Sequence, residues 1–395
     1  MLERIQQLAE SIQEEVVAHR RWLHAHPELS FEEFETAAYI AQQLEKIGIT
    51  PQPMATTGIV AQIRGMNPEK KTIALRADID ALPICQANQV PYKSTRKGLM
   101  HACGHDAHTA CLLGAARILY QLRQGWEGTI KLIFQPGEER IPGGATMMIQ
   151  EGVLQDPAPL YIIGQHVMPQ LPVGKVGFRA GMYMASVDDL HIRVVGKGGH
   201  AAMPERLVDP VYMAAQLVVH LQQVVSRLAP PRIPTVLSIG RFIAEGATNI
   251  IPDEVILQGT FRTMDEDWRQ QAHQKIVKLS TELINAMGGK CEIEIRKGYP
   301  CLYNDPPFTQ RLQKVAAEYL GPENVVELDQ WMAAEDFAYY AQQVPACFYR
   351  LGTGNVSKGI VSGVHTPTFD IDESALAIGS GLMSWLAINA LDGEK

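Results

Sequence analysis

Between residues 189 and 296 the hydrophobic pattern spells a small fold inside a larger one, and this constrains the chain more than any other feature. Read in order, the stretch predicts a strand at 189–195 (DLHIRVV), a helix at 209–227, strands at 235–243 and 254–263, a helix at 267–287 and a closing strand at 290–296. The order β-α-β-β-α-β is the ferredoxin-like arrangement, which closes on itself as a compact unit. An insertion of roughly 110 residues is of ordinary domain size. A chain of 395 residues also exceeds what one hydrophobic core usually serves. We therefore expect an inserted domain at 185–298 within a discontinuous domain built from 1–184 and 299–395.

The flanking segments alternate strands and helices. Residues 2–21 are helical in pattern until Pro27 interrupts; Ser30 with Glu33 then reads as a capping box opening a helix, with Phe31, Phe34, Ala38, Ala41 and Leu44 at helical spacing up to Gly48. Strands are predicted at 59–64, 72–77, 129–135 and 161–165, with a helix at 106–122. After Pro306, helices and short apolar runs resume at 308–320, 334–342, 346–351 and 375–390. Continuous apolar strands separated by helices argue for an α/β domain with a largely parallel or mixed sheet.

Composition excludes several classes of function. The formal net charge is -8 and the 35 lysines and arginines are scattered, so no nucleic-acid surface is expected. Six cysteines, Cys85, Cys103, Cys111, Cys291, Cys301 and Cys347, lack the dense spacing of a disulfide scaffold and are read as free thiols. The first 22 residues form a charged amphipathic pattern without an apolar leader core, and no stretch of about 18 apolar residues is recognised, so neither a membrane span nor export is expected. The expected location is the cytoplasm.

Polar clusters fall where strands end. Asp78 and Asp80 follow the strand at 72–77, the adjacent pair Glu138 and Glu139 follows that at 129–135, and His166 follows that at 161–165. In open α/β sheets, sites lie beyond the carboxyl ends of the strands. Between these clusters HACGHDAHTA packs His101, Cys103, His105, Asp106 and His108 into eight residues, a density of sulfur, nitrogen and oxygen ligands suited to a borderline divalent cation such as zinc. Each piece alone has an ordinary explanation: an acidic pair is usually a solvated surface, a single histidine a satisfied polar residue, a buried cysteine a small hydrophobe. Those explanations must all hold together at consecutive strand ends, which weakens them. His19, His220 and His273 lie in helical patterns without companions and are given no role.

Several strings together carry a family resemblance over nearly the whole chain: RRWLHAHPELSFEEFETA, RADIDALPI (76–84), MHACGHDAH (100–108), FQPGEE (134–139), GKGGHAAMP (196–204) and the segment around His365. They resemble the aminoacylase and carboxypeptidase family of binuclear metal amidohydrolases. Within it they are most similar to the branch of hippurate hydrolases, N-acyl-amino-acid amidohydrolases and indoleacetyl-amino-acid hydrolases. The resemblance implies a zinc-exopeptidase-like catalytic domain and a ferredoxin-like lid that also dimerises. It implies two divalent metal ions (zinc, manganese, cobalt or nickel), with Cys103 bridging them and His105, Glu139, His166 and His365 completing the shells. Glu138 would be the general base, Asp80 would orient a ligand, and Asp78 stands where the wider family has a metal histidine, its own ligation left open. His200 would reach the oxyanion across a dimer interface, while Asn249 and Arg262 would hold the substrate's free carboxylate. The implied reaction is hydrolysis of the amide of N-acyl or N-aroyl amino acids, with a carboxypeptidase or dipeptidase, or a non-catalytic metal-loaded binder, as alternatives. Two features stay apart from the pattern. Glu205 follows Pro204 where related sequences commonly have histidine, and AAEDFAY (333–339) resembles a family motif without giving Glu335 or Asp336 a chemical role.

Overall fold

The computed structural model describes residues 1–392, so the last three residues of the expected 299–395 segment lie outside it. The chain divides into two compact units. One comprises Met1–Gly181, Tyr303–Asp329 and the chain from Asp336 onward; the other comprises Met182–Leu302 with the short segment Gln330–Glu335.

The first unit is a layered α/β structure. Its helices are α1 (Leu2–Ser11), α2 (Gln13–Ala25), α3 (Phe34–Ile47), α4 (His105–Gln121) and α5 (Gly144–Gln150). Its strands in this part are β1 (Pro51–Met54), β2 (Gly58–Arg64), β3 (Thr72–Asp78), β4 (Thr129–Gln135), β5 (Tyr161–Pro172) and β6 (Val176–Phe178). Strand β15 (Val325–Glu327) and strand β16 (Ala346–Gly354) complete an eight-stranded sheet in the order β1-β2-β4-β3-β5-β16-β6-β15. The central strands β4, β3, β5 and β16 run parallel, whereas β1 to β2, β2 to β4 and β16 to β6 are antiparallel, so the sheet is mixed. Every residue of β3 and β4 is buried, as expected for strands covered on both faces. Ile73, Leu75, Ile130, Leu132, Ile163 and Leu351 from the sheet share one core with Leu112 and Ile118 of α4 and with Leu376 and Leu386 of α10 (Ala375–Asp392).

Four local expectations are corrected. The helix predicted at 2–21 is two helices joined at Ile12. The capping box does not form: the Glu33 side chain makes no cap bond, and the free N–H groups of Glu35 and Thr36 are instead met by the Glu28 carboxylate at 3.2 and 2.8 Å. A membrane-length apolar helix does exist, since α10 has mean hydropathy 1.3 over 18 residues, but 72% of it is buried inside the protein, as a core helix is. In the stretch expected at 334–342 only α9 (Ala338–Ala341) is helical, and α8 (Pro306–Leu320) lies where the pattern placed it.

The second unit holds β8 (Asp188–Val195), β10 (Thr235–Ile243), β12 (Glu254–Thr263) and β13 (Lys290–Lys297) in one antiparallel sheet of order β10-β12-β8-β13. Helices α6 (Pro210–Leu221) and α7 (Glu266–Ala286) connect them in the ferredoxin-like order. Each helix starts at an aspartate cap: Asp209 accepts from the N–H of Val211 and Tyr212, and Asp265 from that of Trp268. Helix α6 ends earlier than the expected 227, the chain continuing as a π turn over Val224–Leu228. Leu190, Ile192 and Val194 of β8 pack with Met213 and Leu217 of α6 and Trp268 and Ile276 of α7. Short strands β7 (Gly181–Met184), β9 (Gly199–His200), β11 (Ile250–Ile251) and β14 (Leu302–Asn304) complete the inventory.

Candidate metal centre

The loops that leave β3 and β4, the start of α4, the middle of β5 and the loop after β16 bring the titratable side chains of the first unit together. Gly137 has φ +60° and lies against the Phe31 ring, so any side chain there would collide with it; the turn then presents Glu138 and Glu139. Gly104, φ +83°, is the N-cap of α4 and lies so close to Val167 and Phe369 that only glycine fits, which sets Cys103 and His105 on either side of a tight bend. His166 sits within β5, which continues to Pro172, not after a strand ending at 165. Parallel register places His166 opposite Arg350 of β16.

Cys103 is the hub. Its Sγ lies 3.4 Å from His166 Nε2 and 3.3 Å from His365 Nε2, and His365 Nε2 is 3.2 Å from Glu139 Oε1. Two triads whose ligand atoms lie within 4.8 Å of one another share this sulfur: Cys103, His105 and His166, and Cys103, Glu139 and His365. Glu138 belongs to neither; its Oε2 stands 4.0 Å from His105 Nε2.

Neighbouring groups set which ring nitrogen faces the hub. His166 Nδ1 donates to the Val167 carbonyl at 2.7 Å, leaving Nε2 turned to Cys103. His105 Nδ1 lies 3.2 Å from Asp80 Oδ1, while Asp80 Oδ2 accepts from the Ser30 hydroxyl at 2.6 Å and from the Glu139 N–H at 2.9 Å. Asp80 thus orients a histidine and a glutamate at once, an outer-shell arrangement common around metal ligands. The backbone N–H of His365 donates to the Ala102 carbonyl at 2.7 Å.

The electrostatics fit a pair of cations. Nε2 of His105 is buried without a hydrogen-bond partner, facing the shared space. Burial disfavours a charged His105, yet Asp78, Asp80 and Glu139 outweigh it and push its pKa up to about 10, a carboxylate field that favours positive charge at this place. Burial, followed by Glu139, Glu138 and Asp78, pushes the Cys103 thiol well above its ordinary value. A thiolate at that position needs positive charge beside it, which divalent ions supply. A mixed set of sulfur, imidazole and carboxylate donors suits zinc and its first-row neighbours.

Asp78 and His108 do different work. Asp78 accepts from Arg76 Nη1 at 2.6 Å and from His108 Nδ1 at 2.6 Å, while His108 Nε2 accepts the Val167 N–H at 2.8 Å. With both nitrogens engaged, His108 braces the strand that carries His166. Asp78 is tied into this brace, with its Oδ2 3.7 Å from His105 Nε2. A residue without an assigned chemical role, Asp336, takes hydrogen bonds from Arg76 Nη2 at 2.8 Å, from the Gln135 amide and from the Ala145 N–H at 3.0 Å. Its one carboxylate ties β3 and β4 to the first turn of α5. Only its acidic character in AAEDFAY hinted at this in the sequence.

In the second unit, His200 lies on β9, exposed, its Nδ1 accepting from the Ala202 N–H at 3.1 Å. It pairs with Ile250 of β11, and the Asn249 carbonyl accepts the neighbouring Ala201 N–H at 3.0 Å, so His200 and Asn249 are neighbours. Arg262, half-buried on β12, donates from Nη1 to the Met332 carbonyl at 2.9 Å. Glu205 is exposed in a short 3-10 turn beside Arg206. A groove of about 680 Å³ in this unit, lined by Gly199, Ile243, Ile250 and Asp253 among others, contains none of these titratable candidates.

A model of peptidase family M20/M25/M40 matches residues 74–389. Over 303 residues the chain is 42% identical to the N-acyl-L-amino acid amidohydrolase of Geobacillus stearothermophilus, covering 76% of this chain and 81% of that protein. It is 36% identical over 392 residues to thermostable carboxypeptidase 2 of Saccharolobus solfataricus, covering 98% of both. A Bacillus subtilis crystal structure, described as a dinuclear metal binding peptidase from the M20 family, superposes with a TM-score of 0.84 at 35% identity, covering 97% of this chain and 99% of the other.

Proposed function

The chain belongs to peptidase family M20/M25/M40, a metal-dependent hydrolase of amide bonds, and from that premise we propose that its substrates are N-acyl or N-aroyl amino acids. One observation carries the mechanism: Cys103 joins two ligand triads, while the carboxylate next in sequence to a ligand, Glu138, stands outside both.

Cys103, His105 and His166 would hold one ion, and Cys103, Glu139 and His365 the other. The ions supply Lewis acidity toward water and the amide oxygen. Glu138 takes the proton of the attacking water and returns it to the leaving amine, the work of a single carboxyl acting as base and then acid. Asp80 keeps His105 in the tautomer that offers Nε2. From the second unit we assign Arg262 and Asn249 to the substrate carboxylate, since a guanidinium fork matches that group. His200 we assign to the oxyanion, contributed by a second copy of the chain in a homodimer.

Metal analysis of the purified protein, joined to turnover of N-acetyl amino acids, hippurate and dipeptides, tests the proposal. Two ions per chain and preferred cleavage of acylated amino acids support it. Preferred cleavage of dipeptides would sink the substrate assignment in favour of the carboxypeptidase alternative, which the Saccharolobus relative keeps in view.

A further inference from the structure

The segment 28–33, ELSFEE, meets the loops after β3 and β4 at several points, and the side chains of Ser30, Phe31 and Glu33 reach residues of those loops. The Ala81 N–H donates to the Glu28 carbonyl at 2.7 Å, the Ser30 hydroxyl bonds Asp80, and Phe31 packs on Gly137. Glu33 goes furthest. It has no exposed surface, its Oε1 accepts the Gly137 N–H at 2.8 Å, and its Oε2 accepts the Thr57 hydroxyl at 2.6 Å.

Packing alone does not call for a carboxylate there. Glu33 stands at the N-cap of α3 without capping it, and an apolar side chain would fill the space without the cost of burying a charge. Burial, and then Asp80, push its pKa up to about 7, so the group is held against its own preference for water. What it secures is one peptide unit. Gly137 is in the left-handed region, and the next residue is Glu138.

We infer that Glu33 is a positioning residue: by accepting the Gly137 N–H it fixes the turn from which Glu138 and Glu139 project, and so sets the place of the proton-carrying carboxylate. The inference rests on the role proposed above for Glu138. A displacement of that carboxylate on the order of 1 Å is enough to cost roughly 100-fold in rate.

The test compares metal-loaded wild type with Glu33→Ala and Glu33→Gln, using whichever amide of the panel the wild type cleaves fastest. A preference for dipeptides then removes the substrate assignment and leaves this test intact. Glutamine keeps both bonds, because its oxygen still accepts from Gly137 and the Thr57 hydroxyl can turn to accept from its amide. For Glu33→Ala the expected result is an unchanged metal content, faster amide exchange in the peptide containing Gly137, KM within about threefold and kcat lower by about 10- to 100-fold. Glu33→Gln is expected to recover kcat to within about threefold of wild type. A wild-type kcat in Glu33→Ala, a loss that only tracks lost metal or lost folded protein, or a Glu33→Gln as slow as Glu33→Ala would each overturn the inference. Should Glu33→Ala not fold, Glu33→Asp keeps the charge and shortens the reach by one methylene. Slowed turnover at full metal content is then the expected result, and a wild-type kcat the overturning one.

Discussion

Glu138 and Glu139 are adjacent and both approach His105 Nε2, yet only Glu139 shares a triad with Cys103. The Glu139 backbone N–H is tied to Asp80, and its Oε1 lies beside His365. Glu138 also stands near His105 Nε2, at 4.0 Å, but shares no triad with Cys103. Replacing each with glutamine should separate the two functions. Glu138→Gln is expected to retain both ions and lose about 100- to 10,000-fold in kcat. Glu139→Gln is expected to bind metal more weakly by about 10-fold or more, since a donor to one triad is lost. Titration with a metal indicator beside steady-state kinetics checks both. The ligand types were legible in the sequence because they crowd a short motif and the ends of predictable strands. Ser30 and Glu33 were not legible in their actual roles. Their partners lie at Asp80, Thr57 and Gly137, up to 104 positions away, and no local periodicity encodes a bond of that range. The same local rule that makes S-x-x-E a capping box pointed to the wrong partner.

At the level of elements, the period of hydrophobic residues carried most of the fold. The strands of the ferredoxin-like unit and helices α4, α7 and α8 fall within a residue or two of where the pattern puts them; α7 and α8 each bury one face at helical spacing, while α4 is buried almost throughout. Helix ends and breaks were less legible, since the split at Ile12 and the π turn after α6 follow from tertiary packing. The parallel strands β3 and β4 are bound at their ends by a buried network of Arg76, Asp78, Gln135 and Asp336. Arg76→Met leaves two buried carboxylates without their cation and is expected to destabilise the protein by about 3–5 kcal/mol, measured by denaturant unfolding. The loop leading into α10 supplies a pH-dependent term. Burial alone would raise the Asp372 pKa, but hydrogen bonds from Asn355, Lys358 and Ser374 outweigh it and bring it from 3.8 to about 2. A depressed carboxylate stabilises the folded state above the unfolded value, and that stabilisation is lost as pH falls through the folded one. Asp372→Asn should therefore be less stable at neutral pH, and should lose less additional stability than wild type between pH 4 and 2, as followed by circular dichroism.

For the whole molecule, the first unit concentrates Asp78, Asp80, Glu138 and Glu139 around a thiol and three imidazoles, a combination that divalent cations favour in the folded state. Treatment with a strong chelator should abolish turnover and lower the melting temperature, and adding back divalent metal should restore both; saturation at about 100 times Kd corresponds to roughly 2.7 kcal/mol. A melting temperature unaffected by chelation would contradict this coupling.

Helix α10 also bears on how a newly made chain matures. It is the wall against which α4 rests: the Cys111 thiol donates to the Leu376 carbonyl, and Gly114 lies against Ser380. His365 comes only shortly before it in the chain, long after most of the second unit has been synthesised. While the ribosome is still adding these residues, α4 lacks α10 on that face and the triad of Cys103, Glu139 and His365 is incomplete. The two triads that share Cys103 thus differ in chain order: one is drawn from residues 103–166, whereas the other is complete only after His365 has been added.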